Sequence, residues 1–298
     1  MGVGHLVLTL VVPRGRRTML ETERAREALL SWNSRATQGL IEVAIHRSDG
    51  QVSTWLPYVE WGSRERRSLS GHDDVASCDI DIIRSPRDIV AIEVRSDAEL
   101  DAVSVSTGRF SPQLQRPRIL RDRVLRVPPR LQYVEDHPNE FGWCSPAATS
   151  MLLAYWGHAC DVATVAKGVR DDAYGGTGNW AFNVAFIGRF GVRASVVQIR
   201  DLAHASRFIE AGIPLAASYS WRKGELSRAP LDESEGHLGV LCGFDEHGDP
   251  VVNDPAQTAV QIAYPAAEFE RAWIGHGGIG YAAVTPERGD NLARLANS

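Results

Sequence analysis

The sequence predicts an all-β sandwich followed by an α+β domain in which a helix packs on an antiparallel sheet. Short alternating runs separated by polar turns fill roughly the first 110 residues, which is typical of a sandwich. A stretch at 112–129 with four prolines and five arginines follows, as expected of a linker. The second half has helical segments first and strand-like runs afterwards, a pattern that favours an α+β domain.

The composition is that of a globular protein with a sizeable core. Of the 298 residues, 44% are hydrophobic and 23% are charged, both ordinary values. The net charge of −5 argues against nucleic-acid binding and against a basic membrane face. Four cysteines (Cys78, Cys144, Cys160 and Cys242) are too scattered for a disulfide scaffold, and Cys144, His158 and Cys160 lack zinc-like spacing. We therefore expect no metal, no cofactor and no nucleic-acid partner.

Residues 1–20 are expected to be an N-terminal extension. The apolar run Val3–Val12 has no basic region before it and no small-residue cleavage site after it, so it does not fit a signal peptide. It is also too short to span a membrane. Two alternatives stay open, a β-strand and a start codon placed too far upstream, with Met19 as the alternative start. The sequence leaves the cellular location undetermined.

The sandwich is predicted over 21–111. In Glu21–Trp32, apolar residues recur at helical spacing and predict a short helix or a lead-in segment. The alternating runs Leu40–Arg47 and Val52–Trp61 flank a turn that contains Asp-Gly, which predicts a hairpin. Further strands are predicted over Ser77–Ile83, Ile89–Arg95 and Ala102–Ser106. For the linker 112–129, a solvated connector is favoured over a polyanion site because the total charge is acidic.

The α+β domain is predicted over 130–298 and begins with a loop that brings Cys144 to the start of a buried helix. Pro146 suits the first helical turn, and Gly157 is a good C-terminal stop. Helices are predicted over 162–169, 181–190 and 202–211, and strands over 192–199 and 213–220. A hairpin is predicted around the polar turn Asp245–Gly248.

Cys144 is a candidate nucleophile. A thiol at a helix start lies near unpaired N–H groups and the positive end of the helix dipole, both of which favour the thiolate. Taken alone, the stretch is equally consistent with a structural cysteine, because free cysteines are among the most buried residues.

His237 and Asp254 are predicted to be neighbours across the hairpin. Antiparallel partners have position numbers that add up to about twice the turn centre, and these two residues come within one of that value. A carboxylate beside an imidazole fixes its tautomer and stabilises the charged ring, which keeps a nearby thiol ionised. An ordinary surface pair would look the same. The combination with Cys144 favours a triad of nucleophile, general base and orienting acid.

Two further groups of residues are candidates for the site. The oxyanion of an acyl-transfer intermediate needs hydrogen-bond donors, and the Cys144 backbone N–H and the Gln132 side chain are candidates. A solvent-facing glutamine is equally consistent with the position of Gln132. The glycine-rich loop Tyr174–Trp180 lacks the Lys-Ser/Thr of a phosphate-binding loop, so it is predicted to shape a cleft wall. Candidate substrate contacts are Trp143, Gly178, Asn179, Trp180 and Glu235.

These residues resemble papain-like cysteine peptidases of family thirty-nine, in particular the bacterial stand-alone proteins related to the bacteriocin-leader-processing peptidases. The matching segments are Val127–Gln132, Trp143–Met151, Ala154–Trp156, Gly176–Trp180, Phe208–Pro214, Gly236–Leu238 and Val251–Pro255, with Ser31–Asn33, Trp55–Tyr58 and Trp61 in the preceding β-rich region. Resembling proteins are often secreted.

The resemblance implies a papain-like domain with Cys144, His237 and Asp254 as triad and Gln132 as oxyanion donor. It implies thiol-dependent hydrolysis of a peptide or protein substrate. Cys144-Ser145-Pro146 departs from the Cys-Gly-Pro of the leader-processing relatives and fits the stand-alone branch, and those relatives place the glutamine closer to the cysteine. Two alternatives stay open: an acyl transferase with the same triad, and a non-catalytic module that binds peptide or carbohydrate on the same fold.

Overall fold

A computed structural model of the protein describes residues 5–62, 65–108, 121–135 and 142–297. Within these ranges, no helix is long and apolar enough to cross a membrane. The strands are β1 (His5–Val12), β2 (Arg17–Asn33), β3 (Gly39–Arg47), β4 (Leu56–Trp61), β5 (Arg66–Ser68), β6 (Gly71–His72), β7 (Ser77–Asp79), β8 (Ile82–Ser96), β9 (Leu100–Gly108), β10 (Arg123–Val124), β11 (Arg193–Gln198), β12 (Leu215–Trp221), β13 (Ser234–Phe244), β14 (Pro250–Asn253), β15 (Gln261–Ala263) and β16 (Ile279–Val284). The α-helices are α1 (Cys144–Tyr155), α2 (Val162–Val169), α3 (Trp180–Gly188), α4 (Leu202–Glu210), α5 (Ala266–Trp273) and α6 (Gly289–Asn297), and Ile274–His276 and Pro286–Arg288 are 3-10 helices.

The described residues group into two compact units. The first consists of those in 1–109, 169–196 and 285–297, and the second of those in 110–168 and 197–284. The chain therefore returns twice to the first unit after leaving it. This grouping by contacts differs from the predicted division, which assigned everything after residue 129 to one domain.

The first unit is built on one antiparallel sheet of nine strands among the described residues. Its hydrogen-bonded order is β1-β9-β2-β8-β3-β4-β5, with β7 pairing to both β8 and β6. The hydroxyl of Tyr58 on β4 lies 2.8 Å from the carbonyl oxygen of Leu30 on β2. Because β8 and β3 separate β4 from β2 in the sheet order, this bond requires the sheet to bend until β4 faces β2. The predicted all-β character is present, and the arrangement as a two-sheet sandwich stays a prediction.

The predicted helix over Glu21–Trp32 is wrong, because these residues lie within the long strand β2. The second half of the strand is buried on both faces, so that Ala28, Leu29 and Leu30 are all fully inaccessible. A strand covered on both faces loses the alternation that normally identifies it. The helix-favouring residues of this stretch follow the sheet because packing overrides intrinsic propensity.

Other sequence predictions for this unit had mixed outcomes. The hairpin of β3 and β4 is confirmed by the pairing of Leu40 with Glu60. The single strand predicted over Ser77–Ile83 is wrong, because a tight turn at Ile80, with φ of 57°, separates β7 from β8. Residues 5–12 form a strand paired along its length with β9, which agrees with the strand alternative for the N-terminal residues.

Helix α3 packs on β2 within the first unit. Asn33, at the end of β2, donates from Nδ2 to the carbonyl oxygens of Val184 and Ala194 at 3.4 and 3.1 Å. Its Oδ1 accepts from the Ala194 N–H at 3.1 Å. Gly188 faces Asn33 so closely that an added Cβ would lie 2.6 Å from the Asn33 Cβ. This close fit explains why the helix ends in a residue without a side chain.

The second unit contains a mixed α and β fold around an antiparallel sheet. The order of the sheet is β11-β16-β12-β13-β14-β15, with β10 paired to β13, and β11 itself runs from the first unit into the second. Helices α1 and α4 pack on β13 and β12. The predicted helices over 162–169, 181–190 and 202–211 and strands over 192–199 and 213–220 are confirmed within two residues at their ends.

The linker interpretation does not hold for residues 122–127, whereas 112–120 lie outside the described residues. Arg123 and Val124 pair with Phe244 and Gly243 of β13, and the Leu125 N–H donates to the Cys242 carbonyl at 2.8 Å. A Cβ on Gly243 would collide with the backbone of Arg123 and Val124. Gly243 is therefore the residue that lets β10 join the sheet beside the strand that carries His237.

Replacing Gly243 with Ala should destabilise the protein by about 1–3 kcal/mol, because the added methyl group forces β10 away from β13. Chemical denaturation measures the change. Gly236→Ala, in the same strand, is the matched control, since an added Cβ there meets nothing within 4 Å. Equal stability of the two variants would contradict the close approach of β10.

Candidate active site

Cys144 is the first residue of α1, a helix buried along its first ten residues. No side chain caps its N-terminus and no acidic residue lies in its first turn, so backbone N–H groups are left for other acceptors. The Ser145 N–H hydrogen-bonds the Cys144 sulfur, and the Leu238 N–H of β13 does so from the neighbouring strand. Both donors stabilise a negative charge on the sulfur.

His237 lies on β13 and is 3% exposed. Two aromatic rings of β12 meet it edge-on, Tyr219 at 5.3 Å between ring centroids and Trp221 at 5.7 Å. β12 and β13 pair so that Tyr219 is opposite His237, and a bulge at Glu235 and Gly236 precedes His237 on β13. The two rings leave the imidazole little freedom to turn.

The His237 ring bonds to Asp254 at 2.8 Å between Nε2 and Oδ1. This uses one ring nitrogen, so Nδ1 is the nitrogen left for the Cys144 sulfur, to which His237 also hydrogen-bonds. The sequence prediction that His237 and Asp254 meet across the hairpin is confirmed by this contact. The register differs slightly, because Asn253 pairs with Val240, which makes Asp254 and His237 diagonal rather than directly opposite neighbours.

The Asp254 carboxylate is fully buried and accepts four hydrogen bonds. Oδ1 accepts from His237 and from the Ala256 N–H at 3.0 Å. Oδ2 accepts from the hydroxyl groups of Tyr219 and Tyr264, each at 2.7 Å. Four donors offset the cost of burying a charge, which would otherwise be several kcal/mol.

The titration of the three groups is coupled. Burial alone would raise the pKa of the Cys144 thiol, but the hydrogen bond and charge of His237, with the N–H groups of Leu238 and Ser145, bring it below its ordinary value. Burial alone would lower the pKa of His237, but Asp254 and Cys144 raise it to about 10. Burial opposes ionisation of Asp254 as well, yet its bonds from His237 and the two tyrosines lower its pKa. A thiolate–imidazolium pair follows from these directions.

Gln132 is attached to the same region through its backbone. Its N–H donates to the carbonyl oxygen of Pro255, next to Asp254, at 2.9 Å. The side chain is 7% exposed, and its Oε1 has no hydrogen-bond partner among the described residues. The solvent-facing alternative is therefore wrong for this glutamine, while its role as a donor stays a prediction.

The candidate substrate contacts lie in three different settings. Trp143 is 8% exposed and packs with Ala147, Val162 and Ala166 between α1 and α2, which leaves little of its surface for a ligand. Glu235 is exposed at the bulge of β13. The other three candidates, Gly178, Asn179 and Trp180, belong to the first unit.

The glycine-rich loop has a structural explanation within the first unit. Asn179 caps α3 by accepting from the Phe182 N–H and donates to buried Asp171 at 2.9 Å. Asp171 also accepts from the Ser68 N–H of β5 at 3.1 Å. These bonds attach the loop to the sheet, and substrate contact by Gly178, Asn179 and Trp180 stays a prediction.

Sequence reasoning missed Tyr219 and Tyr264. Tyr219 could have been found by pairing the predicted strand 213–220 with the first strand of the hairpin, which places it opposite His237. Tyr264 follows β15 and has no local sequence signal. No group of three or more His, Cys, Asp or Glu residues that could hold a metal occurs in the described part of the chain.

Comparison with known proteins gives one family, and the similar solved structures include two peptidases. The model of the Peptidase_C39 like family matches residues 124–281. A crystal structure described as a C39-like peptidase from Bacillus anthracis is 16% identical, with a TM-score of 0.44, and the match covers 55% of this chain and 98% of that one. A double glycine motif protease from an AMS/PCAT transporter, in complex with its leader peptide, is 20% identical, with a TM-score of 0.38 and coverage of 57% and 100%. No curated protein matches the chain.

The pH dependence of Cys144 alkylation by iodoacetamide should reveal the ion pair. Since the thiolate persists until the pH falls through the lowered pKa of Cys144, alkylation should continue well below the ordinary thiol midpoint of about 8.5. In His237→Ala, only the N–H groups of Leu238 and Ser145 still oppose the effect of burial on the thiol pKa, so the midpoint should move upward by more than about one pH unit.

Peptide mapping by mass spectrometry assigns the label to Cys144. Cys78 and Cys242 are internal controls, because burial raises the pKa of each to about 12. An ordinary midpoint for Cys144 that does not respond to His237→Ala would show that the pair is not ionised.

Proposed function

The chain belongs to the peptidase C39-like family, whose model covers more than half of it, and on this premise we propose that it hydrolyses peptide bonds through an acyl-enzyme on Cys144. Membership of the family suggests cysteine peptidase activity. The proposal assigns Cys144 as nucleophile, His237 as general base and acid, and Asp254 as the residue that orients His237. Its substrate is a peptide or protein.

One observation carries the proposal: an unbroken series of contacts from a helix-start thiol to a buried imidazole and a buried carboxylate. Buried charged groups are costly, and a fold without use for them would replace them with apolar residues at little cost. A helix-start cysteine with a lowered pKa is also the usual form of an activated thiol. A purely structural role for all three residues explains neither feature.

In the first step, the Cys144 thiolate attacks the carbonyl carbon of the substrate. A bond forms between sulfur and carbon, and the electron pair of the carbonyl moves to its oxygen. The resulting oxyanion needs donors, and we assign the Gln132 side-chain amide and the Cys144 backbone N–H to this task. Gln132 suits the role because its amide is neutral at every physiological pH and its backbone is fixed next to Asp254.

In the second step, the tetrahedral intermediate collapses. The bond between carbon and the amide nitrogen breaks, and the imidazolium of His237 gives its proton to the leaving amine. A water molecule then attacks the thioester, and neutral His237 accepts the proton of the water. Collapse of the second intermediate releases the acid and restores the thiolate–imidazolium pair. Asp254 keeps the ring turned toward the sulfur throughout.

Cleavage of a fluorogenic peptide library should depend on the sulfur of Cys144. Cys144→Ala and His237→Ala should each lower kcat/KM by about a thousandfold or more, because members of a triad act as a unit. Cys160→Ala is the matched control and should retain activity. Repeating the assay with an added amine distinguishes hydrolysis from acyl transfer, since a transferase would form the new amide in place of the acid.

Cleavage that survives Cys144→Ala would contradict the assigned nucleophile. Absence of cleavage together with absence of labelling by peptide-like electrophiles would favour a non-catalytic binding module.

Gln132→Ala should lower kcat by about 10²–10³-fold, the usual cost of one oxyanion donor. Alkylation of Cys144 by iodoacetamide is the control reaction, because displacement of iodide creates no oxyanion. The alkylation rate should therefore stay at the wild-type value. Equal losses in both reactions would show that Gln132 supports the fold rather than the intermediate.

A further inference from the structure

The oxygen of Asp254 that does not face His237 is occupied by two phenols. Tyr219 on β12 and Tyr264 after β15 each place a hydroxyl 2.7 Å from Oδ2. Both tyrosines are nearly inaccessible, at 1% and 0% exposure. Oδ1 already accepts hydrogen bonds from two donors. Two tyrosine hydroxyls on Oδ2 therefore exceed the number of donors that a buried carboxylate needs.

Both hydroxyls are donors. Burial, followed by the charge of Asp254, raises the pKa of each tyrosine above the ordinary phenol value, so both keep their protons while Cys144 and His237 titrate. The Gln257 side chain donates to the Tyr264 oxygen at 3.4 Å. This leaves the single proton of Tyr264 for Asp254.

The positions of the two hydroxyls are set by packing. The Tyr264 ring stacks on Phe269 of α5 at 5.6 Å, nearly parallel, and Tyr219 meets the same ring edge-on at 5.1 Å. Gly239 leaves space for the Tyr219 hydroxyl, because a Cβ there would lie 3.0 Å from it. Rigid aromatic rings are therefore what hold the two donors against Oδ2.

We infer that Tyr219 and Tyr264 are positioning residues for the proposed reaction: their hydroxyls keep Asp254 ionised and turn Oδ1 toward His237. The inference rests on the proposed function. The titratable groups that face Asp254 are His237 from β13, Tyr219 from β12 and Tyr264, with Cys144 of α1 beyond the imidazole. No Arg or Lys of the described residues forms an ion pair with Asp254, so hydrogen bonds and His237 alone stabilise its charge. Each hydroxyl hydrogen-bonds Asp254, so we expect its loss to reach Cys144 through Asp254 and His237.

The test measures the pH profile of Cys144 alkylation in Tyr219→Phe, Tyr264→Phe and the double variant. Phenylalanine keeps the ring packing and removes only the donor. Each single change should move the acid limb to higher pH by about one unit, because a lost hydrogen bond to a charged group disfavours the ionised carboxylate. The double variant should move it further. Peptide cleavage should show kcat lower by about tenfold with KM unchanged.

Tyr155→Phe is the matched control in the same unit. Its hydroxyl bonds the Gly212 carbonyl at 2.9 Å, so its loss removes a tyrosine hydrogen bond far from Asp254 in the sequence and should leave the alkylation profile unchanged. Two independent single variants keep the test open if one of them fails to fold, as judged by denaturation.

The outcomes separate this inference from the proposed function. If wild-type Cys144 is alkylated well below the ordinary thiol midpoint and both phenylalanine variants show the same pH dependence, the positioning role alone is overturned. A wild-type profile with an ordinary thiol midpoint would overturn both, since there would be no ion pair to position. Shifted profiles in a protein that cleaves no peptide would support the positioning role while the proposed hydrolysis fails.

Discussion

The second unit depends on one buried contact, the 2.8 Å bond between His237 and Asp254. A charged pair at 3% and 0% exposure cannot be left half satisfied, because one unpaired member costs about 3–5 kcal/mol. The surrounding structure supplies the remaining bonds: two phenols and a backbone N–H for the acid, and a thiol for the ring. The aromatic rings of β12 and α5 also exclude water from the pair, which strengthens every interaction within it.

β13 brings these parts together. It carries His237, supplies the Leu238 N–H to the sulfur, and leaves space at Gly239 for the Tyr219 hydroxyl. Its pairing with β12 on one side and β14 on the other places Tyr219 and Asp254 on either side of the imidazole. The bulge at Glu235 and Gly236 comes directly before His237, and bulges are common next to functional sites. A single strand therefore sets the positions of His237, of Asp254 and of one N–H donor to the Cys144 sulfur.

Sequence reasoning predicted the parts of this site whose signals are local. Pro146 and Gly157 mark the two ends of α1, and the turn at 245–248 fixes which residues of the hairpin meet. The helix predicted over Glu21–Trp32 failed because burial on both faces removes the alternation of a strand. Tyr264 could not be predicted, since its hydroxyl reaches Asp254 from beyond the hairpin. The pairing of β10 with β13 could not be predicted either, because it depends on the absence of a side chain at Gly243 and not on any pattern in 121–127.

The return of the chain to the first unit at 169–196 has a consequence for how such proteins should be divided. The segment that matches the family, 124–281, includes these residues, yet α3 lies on β2, a strand outside the match. The span recognised by similarity is therefore not a span that packs by itself. A fragment that begins at residue 130 would lack β2, the strand on which the apolar helix α3 packs. The separated β-rich region would in turn lack α3, which packs on β2. In this protein, the segment matched by the family model and the compact units of the structure have different boundaries.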